Sequence, residues 1–528
     1  MTRGRVQGTA PHGPWAATAV VCLGLFLLGM DLTVLNVAVP GLQSQLSASI
    51  TEIHWIVDGY ALVLGGTVLA SGSATDRMGR RRAFTCGLAV CAAASVLGGL
   101  AQTPWQVIAS RCGMGAGAAL LMPATLSLIS NLFPEPRLRR RAIAAWTAVA
   151  GAGGLTGPVI GGLLVEHFSW RAAFWLNLPL AALTIALAFL LVPESRAPQT
   201  EKTDVRGACL SAVGLLTLVW AIIEGPARGW TSRPVLGAFA LAGLLLALFA
   251  LQQRHCPHPM LPLRLLRDAR VPMGAVALAL TSFALFGTLF VLTLYLQGVL
   301  GHTPWEAGVR TLPLPAALAA GAGAGQFLTG TKGEKATIVL GLGLLTAAFL
   351  FLTSTEPGSD YAHLVVFQVA AGVGAGMVAL AGTVAVMDAM PAARAGLGSA
   401  VNDATRQVGS ALGVAVQGSL LATVYTDRFR DSLVGVGLPA RLREAGQDNV
   451  LAAAALAPRV PPVQRARLTA AVEDAFVSGM TCTAFVSAGV MLGTAAAVCR
   501  WFPGRVSARP ADRPADSART LGAPALRR

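Results

Sequence analysis

Five ionisable residues sit inside stretches that are otherwise apolar: Asp31, Asp58, Arg111, Asp403 and Arg406. If those stretches lie in lipid, each charge near the bilayer centre costs at least about 2.5 kcal/mol, so such residues are retained for a task. A carboxylate in that setting can exchange a proton or meet a cation, and an arginine beside it can balance its charge. At about 1.5 Å rise per residue, Asp31 lies roughly 12 Å and Arg111 roughly 8 Å below the same outer surface, so the two can pair. Asp403 stands about two turns from the opposite end of its stretch, where a local i,i+3 pair with Arg406 is the alternative to a titrating site. Asp58 is placed closer to the outer interface, and Glu224 is expected at the interface itself.

The elements that must position these residues are read from apolar runs. The 528-residue chain is 54% hydrophobic and only 12% charged, far from the roughly 25% charge of soluble domains. A span needs about 20 apolar residues. Fourteen stretches qualify: about 16–39, 53–72, 83–101, 106–131, 142–165, 172–193, 206–224, 232–252, 272–298, 307–328, 336–353, 362–388, 397–424 and 479–501. The tenth is interrupted by Pro313 and Pro315. The expected class is therefore an all-α membrane protein. The chain divides into a segment 1–15, a six-helix bundle over 16–193, a linker 194–271 with two further spans, a second bundle over 272–502 and a disordered tail 503–528. Within the second bundle a loop of about 425–478 is expected to face outward.

Arginine-rich short loops set the orientation. The loops after spans 2, 4, 6 and 8 carry Arg77 and Arg80 to Arg82, Arg137 and Arg139 to Arg141, Arg196 and Lys202, and Arg254, Arg264, Arg267 and Arg270, while those after spans 1, 3, 9 and 11 carry no lysine or arginine. By the positive-inside rule both termini are cytoplasmic and the protein sits in the plasma membrane. The net charge of +15 is thus topological, and no nucleic-acid partner is expected. All eight cysteines lie in apolar runs or on the cytoplasmic side, so no disulfide framework is expected. "HCPH" (His255 to His258) is set aside as a metal site, and the GxGxG fragments at Gly113 and Gly372 lie inside spans, where glycines serve helix contacts. No GxxxxGK[ST] loop is present to hold ATP.

Four motifs carry more information than composition. "GSATDRMGRR" places Gly72, Asp76, Arg77, Gly79, Arg80 and Arg81 in the pattern GxxxDRxGRR between spans 2 and 3. "GGLTGPVIGG" in span 5 supplies Gly153, Gly157, Pro158, Gly161 and Gly162, small residues at the spacing that lets helix backbones touch. Asp31, Thr33, Asn36, Ala38 and Pro40 form DxTxxNxAxP in span 1, and Arg111 opens "RCGMGAG" in span 4. Together with "WRAAFWLNLP" (Trp170 to Pro179), "YLQ" (Tyr295 to Gln297), "AGVRTLP" (Ala307 to Pro313) and "NDATRQVGSALG" (Asn402 to Gly413), these resemble the 14-span drug:proton antiporter family of the major facilitator superfamily over essentially the whole chain.

That resemblance implies a major facilitator fold, two six-helix bundles plus two central helices, and a small-molecule exporter driven by a proton gradient without a cofactor, metal or catalytic residue. It implies a cytoplasmic latch at the Asp76 loop, a directional role for the span 5 glycines, and proton or substrate work for Asp31, Asn36, Asp58, Arg111, Asp403 and Arg406. The expected mechanism is competition: a carboxylate, Asp31 with Asp403 as the second candidate, binds a proton from outside and gives it up in the inward-facing state, and substrate occupies the cavity meanwhile. Met114 stands where the family pattern has glutamine, which removes an amide from any relay there. A monomer is expected. The alternatives are an importer or metabolite carrier of the same fold, and a membrane receptor in which the buried charges only pair.

Overall fold

The computed structural model describes residues 13–504 apart from 47, 49, 197–203, 258, 263, 265–266, 392–393 and 433–461. The expectations for residues 1–12, His258, the centre of the loop 425–478 and the tail from 505 onward fall outside the described residues.

The chain is built of helices, because in lipid a backbone must satisfy its own N–H and C=O groups. The first bundle comprises α1 (Pro14–Leu46), α2 (Ile50–Met78), α3 (Arg80–Gly99), α4 (Pro104–Leu132), α5 (Pro136–His167), α6 (Ala172–Trp175) and α7 (Asn177–Leu191). The pair α8 (Val205–Arg228) and α9 (Arg233–His255) follows. The second bundle comprises α10 (Arg270–Leu294), α11 (Pro304–Arg310), α12 (Pro313–Lys332), α13 (Glu334–Leu352), α14 (Tyr361–Asp388), α15 (Ala395–Ser432) and α16 (Pro462–Trp501). By length and apolarity, 13 segments among the described residues can cross a membrane. The Ala- and Gly-rich α12, in the tenth expected span, is the one of the fourteen that falls short of that apolarity.

Several boundaries depart from the sequence expectation. The tenth span is two helices, since Pro313 and Pro315 have no N–H for the carbonyls a turn earlier, and the chain breaks at Thr311 and Leu312. Pro179 has the same effect on the sixth, separating α6 from α7 at Leu176. The segment expected as a loop from 425 is helical to Ser432, and helix resumes at Pro462 rather than 479. Phe429, Leu468, Val472 and Phe476 bury into the second bundle's core there. Apolarity marks only the part of a helix in hydrocarbon, whereas one apolar face is enough to extend it beyond.

The first bundle's core runs on to Leu380, Val384 and Met387 of α14 and Ala404 of α15, and the second bundle has a core of its own. A third cluster joins them, in which Phe249, Met260 and Leu261 pack on Leu69 of α2 and on Leu397 and Ala400 of α15. The two bundles share a turn as well: α2 passes to α3 through Gly79 at φ +103°, and α12 to α13 through Gly333 at φ +88°, a region where glycine carries no Cβ penalty.

Asp204 ties the α8–α9 pair down. Its carboxylate caps α8 by accepting from Gly207 N at 2.8 Å, and also accepts from Gln253 Nε2 at 2.6 Å and Met260 N at 3.4 Å. Burial opposes ionisation, but these hydrogen bonds outweigh it and hold the carboxyl below its usual range. Because the native value is lowered, the stabilisation is present above the ordinary value near 3.9 and is lost as pH falls through the native one. Asp204→Ala should therefore lower stability by about 1–2 kcal/mol at pH 7. The melting gap to the parent protein should narrow in scans below about pH 4.

Candidate functional site

Glycine brings α1 and α5 into backbone contact. Gly29 faces Gly153 and Gly154, Gly153 meets Phe26, Gly157 meets Met30 and Thr33, and Gly161 meets Val34. A Cβ at Gly157 would run into the Thr33 hydroxyl. That hydroxyl donates to Gly154 O at 2.8 Å, fixing the turn of α1 that carries Asp31. The side chains of Asn36, Pro158 and Gly162 lie outside the described residues.

Asp31 projects from this seam into the first bundle. Arg111 Nη1 donates to Asp31 Oδ2 at 3.0 Å, and both residues are buried, at 3% and 2% exposure. Asn177 Nδ2 donates to Asp31 Oδ1 at 2.9 Å and lies 3.0 Å from Ser95 Oγ. Arg111 Nε donates to Ile56 O at 3.2 Å, and the guanidinium lies 4.5 Å from the Tyr60 ring centroid. Residues of five helices, α1, α2, α3, α4 and α7, thus gather around one carboxylate. Removing one partner of such a pair leaves a buried charge uncompensated, which costs about 3–5 kcal/mol. The sulfur of Met114 contacts Ser95 and Ser110 instead of offering an amide, and Asn177 supplies the amide from α7.

Beside this cluster lies a cavity of about 930 Å³ between the two bundles. It runs from Trp146, Asp403 and Arg406 towards Pro226, Tyr425 and Thr426, and Thr33, Asp58 and Tyr60 line it. Asp31 is not among the lining residues. Tyr60 stands between, one part on Arg111 and one on the cavity. Asp403 accepts from Asn402 Nδ2 at 3.2 Å and Ser399 Oγ at 3.4 Å. No ion pair joins it to Arg406 among the described residues, and Arg406 lies 5.9 Å from the Trp146 ring centroid. Glu224, at the far end of α8, pairs with Arg228.

The GxxxDRxGRR loop closes one end of the interface between the bundles. Asp76 pairs with Arg80 at 3.0 Å and accepts from the N–H groups of Gly396 at 3.0 Å and Leu397 at 3.2 Å, so a carboxylate of one bundle caps the first turn of α15 in the other. Gly72 lies against Gly396 O and Ala400, with no room for a Cβ. Arg81 N donates to Glu194 Oε1 at 3.1 Å, and the carbonyl of Arg77 accepts from Arg196 Nε at 2.6 Å. A second latch at the same end joins Arg139 of α5 to Asp388 of α14 at 2.7 Å.

Sequence reasoning missed Asn177, Tyr60, Trp146, Glu194 and the Arg139–Asp388 pair. Asn177 carried a signal, an amide inside an apolar run. Asp76→Asn should weaken the cap on α15 and leave Arg80 without its counter-charge. In a protein whose native cysteines are replaced, maleimide labelling of Cys introduced at Gln407, from the latched face, is expected to rise several-fold; equal labelling in both backgrounds would show that the loop does not hold this end closed.

The comparisons with known proteins agree with this geometry. Residues 21–414 match the family model described as Major Facilitator Superfamily. The tetracenomycin C resistance and export protein of Streptomyces glaucescens is 34% identical over 491 residues, covering 92% of this chain and 91% of that protein. The multidrug efflux pump LfrA of Mycolicibacterium smegmatis is 33% identical over 504 residues, covering 93% and 98%. Among solved structures, the proton:xylose symporter XylE matches at a TM-score of 0.58 with 14% identity over 93% of this chain and 96% of that one, a likeness of fold. The chain belongs to the major facilitator superfamily, and its close-length relatives are drug and antibiotic efflux proteins.

Proposed function

We propose that this protein is a proton-coupled exporter of drug-like or antibiotic-like amphipathic molecules, working by alternating access in the plasma membrane with both termini in the cytoplasm. The observation that carries this reading is the juxtaposition of a buried carboxylate–arginine pair with a cavity between two latched bundles. Resistance and export relatives along nearly the full chain support it. The arginine-rich loops support the orientation, which puts the Asp76 and Arg139 latches on the cytoplasmic side and opens the cavity outward.

In this mechanism a proton arriving from outside neutralises Asp31. Arg111 then loses its counter-charge while keeping Ile56 O and the Tyr60 face. Because Tyr60 borders both the ion pair and the cavity, the change reaches the substrate site without substrate touching Asp31. Coupling at Asp31 is then indirect, in place of the direct competition expected from sequence. Asp403 lines the cavity and is the second carboxylate that can take a proton beside the substrate. The Gly153 to Gly161 seam keeps α1 and α5 moving as one body.

Asp31→Asn keeps size and hydrogen-bonding capacity but cannot trade a proton. With a compound chosen by growth protection of a drug-sensitive host, pH-gradient-driven transport into inverted vesicles should fall at least about tenfold in this variant while its melting profile stays cooperative. Full gradient-driven transport in the folded variant would sink the assignment of Asp31, and transport in the same direction as the proton flux would make the protein an importer.

A further inference from the structure

The cavity carries one basic side chain and an apolar wall at a fixed distance from it. Among the described residues lining it, Arg406 is the only lysine or arginine. Its guanidinium is attracted to Asp403 without a contact ion pair among the described residues, its Nη1 has no hydrogen-bond partner, and the Trp146 face supports it at 5.9 Å. The nearby acid, Asp403, is turned to Ser399 and Asn402, and Asp58 lies in the outer part of α2. Further along the cavity, Phe286 and Phe290 of α10 are 43% and 39% exposed, and Val414 of α15 is 37% exposed. Phe290 reaches across to Gly418 of α15. Arg406 and Val414 are eight residues apart on one helix, about 12 Å by rise.

We infer that the cavity binds an amphipathic organic anion, a planar apolar body of about three fused rings bearing a carboxylate or an acidic phenol, with the anion on Arg406 and the rings against Phe286, Phe290 and Val414. A guanidinium with one enclosed N–H group that lacks a hydrogen-bond partner is satisfied best by a charged oxygen acceptor, whose hydrogen bonds are the strong ones. Flat apolar bodies gain most from phenylalanine faces. A cationic ligand would have to sit beside this guanidinium, while Asp403 is already hydrogen-bonded to Ser399 and Asn402. This inference rests on the exporter reading only in taking the cavity as the substrate site.

Three probes with one ring system and three charges test it: anthracene carboxylate, its methyl ester and aminomethylanthracene. Their affinities are measured by fluorescence on the full-length protein in lipid nanodiscs without any proton gradient. The carboxylate should bind about ten- to a hundred-fold tighter than the ester, with the ammonium weakest. Arg406→Gln should bring the carboxylate down to the ester while ester binding persists, which also certifies the fold. Arg406→Lys should retain part of the preference, and it decides the matter if the glutamine variant binds nothing. The inference is overturned if the ammonium binds tightest, or if either arginine variant leaves the order and spacing of the three affinities unchanged. Because no gradient is applied, a preference for the anion stands even if proton coupling fails, and its absence leaves proton coupling untouched.

Discussion

The arrangement of the first bundle depends on satisfying two opposite charges in a place where water cannot. Asp31 and Arg111 meet at 3.0 Å with almost no exposure, and each is useless there without the other. That requirement recruits the rest: Ile56 O from α2, the Tyr60 face, and the Asn177 amide from α7. It also explains why α1 and α5 touch through glycine. With a Cβ between them, α1 would stand away from the bundle and Asp31 would no longer reach Arg111.

The helix α5 connects this pair to the closed end of the molecule. Its middle turns hold α1 beside Asp31, while Arg139 in its first turns latches to Asp388 of the other bundle. Asp76 makes the corresponding connection from α2 to the start of α15. The glycine turns at Gly79 and Gly333 occupy equivalent places in the two halves, but the charges around them differ: Asp76 has its counterpart at Gly330, where Arg140 approaches instead. The glycine seam thus joins the turn of α1 that carries Asp31 to the helix that carries Arg139. The pair α8–α9 adds a third contact at that end by packing Met260 and Leu261 on both α2 and α15.

Much of this was legible from sequence because lipid imposes simple rules. Apolar runs marked the spans, and Pro313 and Pro315 marked where the tenth one breaks, whereas the break before Pro179 was not foreseen. Depth arithmetic brought Asp31 to Arg111. The ends of α15 and α16 were not legible, since beyond the hydrocarbon a single apolar face around Phe429 and Phe476 suffices. Nor were the latches: the hydrogen bond from Gly396 to Asp76 spans 320 residues of chain, and an arginine placed for topology looks the same as one placed for pairing. Spacing alone leaves an i,i+3 pair with Arg406 open as the alternative to a titrating site at Asp403. The fold gives Asp403 nearer partners in Ser399 and Asn402 and leaves the guanidinium on Trp146.

The central claim is that Asp31 couples proton movement to substrate movement. Proteoliposomes loaded with a pH-sensitive dye, given an outward gradient of a transported compound and no initial pH gradient, read the coupled flux directly. Protons should enter as substrate leaves in the parent protein, and that inward flux should vanish in Asp31→Asn. Inward proton flux of undiminished size in the variant, or protons leaving together with substrate in the parent protein, would contradict the account.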